Sequence, residues 1–242
     1  MKLEARAAEA RDLPAVKRLT DAYLTRDFYS LETLEGMLHG ERNLFYVVAD
    51  ADRGGAVISY FYAFLSPLDE ALQILHVPEK PEPLPKYGGD ALVGVYKASS
   101  TEKAYRKQGI CTSFVRDLQP VMRARAAKMI LATALRPLGR EAPMRHIFVD
   151  NGFRAISDLY RPWKNIRGYC PYCKRDYCIC DGVFYIKQLD ETEDGDAHEK
   201  WPDSVRHQQK AAAERYSDDS PDLFDFHAQR LLSVQQHHPK AL

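Results

Sequence analysis

Four of the five cysteines of this 242-residue chain fall within eleven residues, as Cys170, Cys173, Cys178 and Cys180, spaced C-x2-C-x4-C-x-C. A C-P-Y-C turn is tight enough to aim two thiolates at one ion, and a C-x-C pair can supply two more. The result is a tetrahedral S4 set of the kind that holds Zn2+. Four thiolates fill a tetrahedral zinc and leave no open position, so such a metal is structural. A disulfide framework suits neither so compact a cluster nor a chain read as cytoplasmic. An iron–sulfur cluster, a redox role and free thiols are the competing uses of the same residues.

A second stretch, YRKQGIC (residues 105–111), stands between a strand-like run and a helix-like run. Amide N–H groups at a helix N-terminus, with the helix dipole behind them, form an anion cradle. Gly109 lets the main chain approach a ligand closely, and Arg106 and Lys107 add positive charge. The spacing matches neither G-x-x-x-x-G-K-[ST] nor G-x-G-x-x-G. A solvated basic turn before a helix has the same appearance, so this motif needs its surroundings.

The surroundings alternate helical and β patterns. A short strand precedes a helix entered at Asp12 with Pro14 in its first turn. Ser30 caps a second helix carrying Leu31, Leu34 and Leu38 and stopped by Gly40. NLFYVVAD and GAVISYFYAFL form a hairpin. Residues 66–89 hold five prolines and read as a long loop with one helical turn at Ala71–Leu75. Strands at 90–101 and 128–135 flank a helix with Ile110, Phe114, Leu118 and Val121 on one side and Pro120 inside it. A helix closed at Gly152 follows, and strands at 155–163 and 183–189 bracket the cysteines. The expected fold class is α/β (α+β), a mixed twisted sheet flanked by helices. One domain is expected over residues 1–189, with a linker and tail over 190–242.

In this order YRKQGIC resembles the pyrophosphate motif Q/R-x-x-G-x-G/A of the GNAT acyltransferase family. Arg106 and Gly109 fill its first two fixed positions and Cys111 its last. IFVDNGF, ending in Asn151, Gly152 and Phe153, resembles the end of that family's helix four. The resemblance covers about residues 3–189, and its sharpest part is 97–153. It implies a sheet whose fourth and fifth strands splay apart, with the pantetheine arm of acetyl-CoA in the gap. The pantetheine would pair with main chain that includes Ser99, Ser100 and Thr101. The pyrophosphate would lie on the loop Arg106, Lys107, Gln108, Gly109, Ile110 and Cys111. The implied reaction is direct attack of an amine on the thioester. The acceptor is an amine-bearing molecule whose class the sequence leaves open: small amine, protein amine or nucleic acid.

Two positions depart from the family pattern. Many members carry a tyrosine acid where this chain has Phe148, and strand four lacks an obvious glutamate base. Glu102, Asp90 and Tyr96 are the candidate catalytic groups. On this template the cysteines form a zinc knuckle between the last two strands, an elaboration that the fold does not require.

The knuckle's flanks, residues 161–177, interleave Arg161, Trp163, Lys164, Arg167, Tyr169, Tyr172, Lys174, Arg175 and Tyr177. Basic residues among aromatics suit contact with DNA or RNA, but the same residues can simply pack and solvate a small knuckle. Charge is unevenly spread: residues 154–187 carry seven Lys/Arg against three Asp/Glu, and 188–242 carry six against twelve. The basic segment could dock the acidic tail of its own or a neighbouring chain, which makes a homodimer an expectation. DETEDGDAHEKWPDS reads as a solvated linker, LFDFHAQRLL as a short amphipathic helix, and His237 and His238 as a surface pair. No apolar run approaches the roughly 20 residues needed to span a bilayer, and the first residues lack an apolar signal core. No membrane association is expected, and the expected compartment is the cytoplasm.

Overall fold

Strand β3 (Ala56–Pro67) is buried at ten consecutive positions, so both faces of the sheet around it are covered. The coordinates are a computed structural model and describe residues 2–189 except Pro83; the tail helix, the linker and His237/His238 lie outside the described residues. Seven strands stand in the order β1-β2-β3-β4-β5-β9-β6. They are β1 (Leu3–Ala7), β2 (Asn43–Asp50), β3, β4 (Leu92–Thr101), β5 (Met129–Arg136), β9 (Asp181–Gln188) and β6 (Arg154–Leu159). A separate two-stranded sheet pairs β7 (Arg167–Cys170) with β8 (Arg175–Tyr177). Every pairing is antiparallel except β4 with β5. A parallel pair needs a crossover, and α4 (Ile110–Ala124) supplies it.

Two hydrophobic cores result. On one face α1 (Leu13–Tyr23), α2 (Leu31–His39) and α3 (Leu68–Ile74) bury Val16, Leu19, Leu34, Leu68 and Leu72 against Tyr60, Tyr62, Val95 and Leu131. On the other, α4 and α5 (Arg145–Asp150) bury Phe114, Leu118, Ile147 and Phe148 against Phe61, Tyr96 and Tyr185.

The structure departs from the sequence pattern in two places that matter for the site. Residues 66–89 are more ordered than a loop with one turn: α3 starts at Leu68, directly after β3, with Asp69 and Glu70 in its first turn. Acidic residues there complement the helix dipole. The strand expected over 155–163 stops at Leu159. The chain then turns, with Arg161 in left-handed backbone conformation at φ 42°, and Trp163 swings into the interior.

The entrance to α1 is held by charge. Asp12 accepts the Glu9 amide at 2.9 Å and two bonds from the Arg6 guanidinium at 2.6 and 2.8 Å. Burial pushes the Asp12 carboxyl up, but these bonds outweigh it and hold the carboxyl below its ordinary value. A lowered folded pKa contributes stability that is present above about pH 4 and lost as pH falls through the folded value. Asp12→Asn is therefore expected to cost about 1–3 kcal/mol near pH 7, and chemical denaturation should show that difference narrowing below about pH 4.

Candidate functional site

Strands β4 and β5 share three rungs, Gly94–Ile130, Val95–Leu131 and Tyr96–Ala132, and then part. Beyond them β4 stays paired with β3 and β5 with β9. The register of β4 on β3 shifts at the same point: Tyr62 faces Ala98 while Ala63 faces Tyr96, which leaves Lys97 as the extra residue of a β-bulge. A bulge bends its strand and raises the local twist, so the fork opens where β4 turns away. The β4 edge over residues 97–101 lacks a strand on its β5 side, and an extended ligand can bind there as strands do.

The far end of β4 leads into the anion cradle. Lys107 and Gly109 both adopt left-handed backbone, at φ 60° and 77°. Only glycine takes that conformation without strain, and at Gly109 it aims the chain into the first turn of α4. The loop is braced on three sides. Arg106 Nε donates to the Thr101 carbonyl at 3.0 Å and its guanidinium stacks 4.7 Å over Tyr23. Tyr105 donates to Asp50 at 2.5 Å and accepts from Arg53 at 3.1 Å. Gln108 donates to the Ala104 carbonyl at 3.4 Å. Arg106 is thus turned inward as a brace, while Lys107 is exposed.

Neighbouring side chains are engaged within the fold. Ser99 meets Cys111 at 3.8 Å, Ser100 donates to the Leu19 carbonyl at 3.4 Å, and Thr101 meets Ser59 at 2.8 Å. Ile110 and Cys111 are buried under the loop. What this stretch can offer a ligand is main chain more than side chain.

Of the three candidate catalytic groups, Tyr96 stands at the fork, in its last shared rung, but its side chain turns to the α4 face; Glu102 and Asp90 lie away from it. Glu102 follows the end of β4 and lies 3.5 Å from Arg53. Asp90 is exposed in the turn before β4. Tyr96 is fully buried on the α4 face, where its hydroxyl donates to the Val115 carbonyl at 2.7 Å. Phe148 lies between Phe153 and Tyr185, 5.0 Å from each ring, and has no proton to give.

Sequence reasoning missed a second titratable group at the fork, Lys97. It is 1% exposed, and its Nζ donates to the Ile74 carbonyl at 3.4 Å. Burial pushes its pKa well below the ordinary lysine value. On β5, Thr133 donates to the Leu75 carbonyl at 3.3 Å. Next to them His76 is held down to about 4, by desolvation first and then by the charge of Lys97. The signal was present in LVGVYKASS, a buried strand with a single charge in it.

The four cysteine sulfurs lie within 4.8 Å of one another, and none is in a disulfide. Hydrogen bonding with Cys170 pushes the Cys178 and Cys180 thiols well up, and their mutual contact and burial add to this at Cys180. A dication relieves such crowding of sulfur, so this donor set fits Zn2+. The tight turn forms as the Lys174 amide donates to the Cys170 carbonyl at 2.8 Å.

The knuckle is docked, not projecting. Trp163 and Leu135 share a core with Cys170, Cys178 and Cys180. Gly168 has φ 138°, and a Cβ there would come within 2.3 Å of Thr25 Cγ2. The knuckle therefore runs from β5 and β9 across to the end of α1, on the face to which Lys97 and Thr133 point. Its outer side exposes Tyr169, Tyr177, Lys164, Lys174 and Arg175, around an open depression of about 610 Å³ lined by Lys164, Asn165, Ile166, Gly168, Asp176 and Tyr177.

Neither a comparison with models of known protein families nor one with curated proteins finds a match. Solved structures do match. NatC, in a complex bound to Gag peptide and CoA, is 18% identical, with 78% of this chain and 100% of that one covered at a TM-score of 0.55. Naa20 of Chaetomium thermophilum, in complex with a bisubstrate analogue, is 16% identical over 84% and 98% of the two chains, also at 0.55. The ribosomal-protein-S18-alanine N-acetyltransferase of Escherichia coli is 13% identical over 81% and 99%, at 0.52. At these identities the likeness is one of fold: this chain has the mixed, splayed sheet of the GNAT N-acetyltransferases, with a four-cysteine cluster between its later strands.

Proposed function

We propose that the chain is an acyl-CoA-dependent N-acyltransferase, passing most simply an acetyl group to a primary amine. The observation that carries this reading is the β4–β5 fork, opening at a bulge and leading along β4 to the N-terminus of α4. Main chain of Lys97–Thr101, including Ser99 and Ser100, would hold the pantetheine arm, and the amides of Lys107, Gln108, Gly109, Ile110 and Cys111 the pyrophosphate. Acetyl-CoA, when bound, supplies an acyl group activated as a thioester. The fold contributes alignment of amine and carbonyl, and water exclusion by the packed faces on either side. With phenylalanine at position 148, a thiolate of pKa about 8–9 would leave without a tyrosine acid.

The acceptor would approach on the face of α1, the end of α3 and the knuckle. The fold neighbours support amines of proteins or peptides as one acceptor class, and those named as the NatB and NatC complexes support partner subunits. A second reading rests on the outer surface of the knuckle, where exposed tyrosines beside Lys164, Lys174 and Arg175 suit nucleic acid. Salt-dependent oligonucleotide binding, lost on joint neutralisation of Lys174 and Arg175, would support it; no binding at low salt would remove it. The knuckle's metal would be a structural Zn2+ held by Cys170, Cys173, Cys178 and Cys180. Among the described residues no helix is long and apolar enough to cross a membrane, and reduced thiols suit the cytoplasm.

Two measurements test the main reading. Saturating acetyl-CoA at 100 times its Kd should stabilise the chain by about 2.7 kcal/mol, visible as a raised Tm. Gly109→Val should abolish that rise by forcing a β-branched residue into left-handed backbone. An unmoved Tm with acetyl-CoA, CoA and longer acyl-CoAs would remove the assignment. Separately, metal analysis should find one zinc per chain, and its chelation should lower the Tm, because the knuckle core includes Trp163 and Leu135 of the body.

A further inference from the structure

Lysine is the side chain least expected in a dry interior, yet Lys97 is buried at the residue where β4 bulges and the fork opens. The first residues past the last shared rung are Lys97 on one arm and Thr133 on the other. Both reach the same place, the carbonyls of Ile74 and Leu75 at the C-terminal end of α3. The end of α3 therefore lies across the fork, on the face away from α4.

One explanation is purely structural, with Lys97 and Thr133 capping the last carbonyls of α3. It accounts well for Thr133. It accounts less well for Lys97, because a hydroxyl or amide could cap the Ile74 carbonyl without desolvating an ammonium. Three tyrosines in the core on this face are ill suited to gain a proton at neutral pH. Tyr29, Tyr60 and Tyr62 are held as neutral phenols by burial. His76, exposed beside the end of α3, lies outside that core, and Lys97 differs from it in standing at the fork itself. A buried amine is uncharged nearer neutrality and can accept one.

We infer that Lys97 is the proton acceptor of the site, a role that rests on the acyl-transfer reading above. The attacking amine forms the new N–C bond as the C–S bond breaks, and the C–S electron pair stays on sulfur. The proton shed by the amine passes to Lys97 Nζ, which later yields it to water. The fork supplies the placement: β4 main chain from residue 97 onward would bind the thioester's arm, and the side chain of that same residue faces the opposite, acceptor side.

The test uses the whole chain and two independent readouts. Lysine 13Cε/15Nζ NMR of the ligand-free protein, with Lys97 assigned through Lys97→Met, should show one lysine titrating well below the ordinary value of about 10.4. Release of CoA from acetyl-CoA, to water and to a mixture of amino-acid amides, should fall about 100-fold or more in Lys97→Met and equally in Lys97→Arg. Lys97→Arg keeps a donor for the α3 carbonyls but cannot act as a base, and the acetyl-CoA-induced rise in Tm tells lost chemistry from a lost fold in either variant. In both variants the acetyl-CoA-induced rise in Tm should persist. Full CoA release by Lys97→Arg, a Lys97 ammonium still charged above pH 10, or acetylation of Lys97 itself seen by mass spectrometry would overturn the proposal. Absence of any acetyl-CoA shift in the unaltered chain would instead overturn the acyl-transfer reading on which it rests.

Discussion

The parallel contact between β4 and β5 is the constraint on which the rest of the site depends. It lasts three rungs and ends at a bulge. A longer pairing would close the sheet and leave no slot. A shorter one would leave β5 and β9 poorly anchored to the first half of the molecule, because β5 is the strand through which β9 and β6 join the sheet. The crossover helix α4 follows from the parallel pairing, and its N-terminus must then emerge near the end of β4, beside the slot. One topological choice thus puts an unpaired strand edge and an anion-binding helix end next to each other.

The two faces of the fork have different chemistry because different elements cover them. On the α4 face the side chains are locked into packing: Tyr96 on Val115, Phe148 among aromatic rings, Cys111 beside Ser99. On the opposite face, α3 and the cysteine knuckle cover the sheet, and Lys97 and Thr133 of the sheet bond to the end of α3. The knuckle reaches across to Thr25 near the end of α1, and α3 reaches to Lys97 and Thr133. Both are additions to the alternating plan of strands and helices, and both lie where an acceptor would approach. On the proposed reading, this division would also keep a metal at the knuckle apart from the reaction. Cys170, Cys178 and Cys180 pack with Trp163, so a metal held by all four sulfurs would stiffen a wall and leave no open position for a substrate.

Much of this was legible in the sequence because local signals and tertiary structure agree. Asp12 with Pro14, Ser30 with Leu34, and Gly109 before an amphipathic run each mark a helix start that the structure keeps. The four cysteines declared their cluster by spacing alone. Failures came where tertiary contacts outweighed local pattern. The prolines of residues 66–89 hid α3, whose seven residues include Leu68, Ala71, Leu72 and Ile74, all buried against the sheet. YRPW read as a strand because it is aromatic, but Trp163 is worth more inside the knuckle core than in β6: burying so large a ring contributes on the order of 2–3 kcal/mol. Lys97 was passed over because a bulge, unlike a turn, has no residue signature of its own.

Tyr96 and Lys97 make that last point sharper. They are adjacent in sequence, and a regular strand sends adjacent residues to opposite faces with strict alternation onward. The bulge interrupts the alternation: Tyr96 points to α4, while Ala98 shares the α1–α3 core toward which Lys97 reaches. Period-two reasoning from either end of β4 therefore assigns the other end to the wrong face. The residue that breaks the strand's period is also the one that opens the fork, so the part of β4 hardest to read from sequence is where β4 and β5 part.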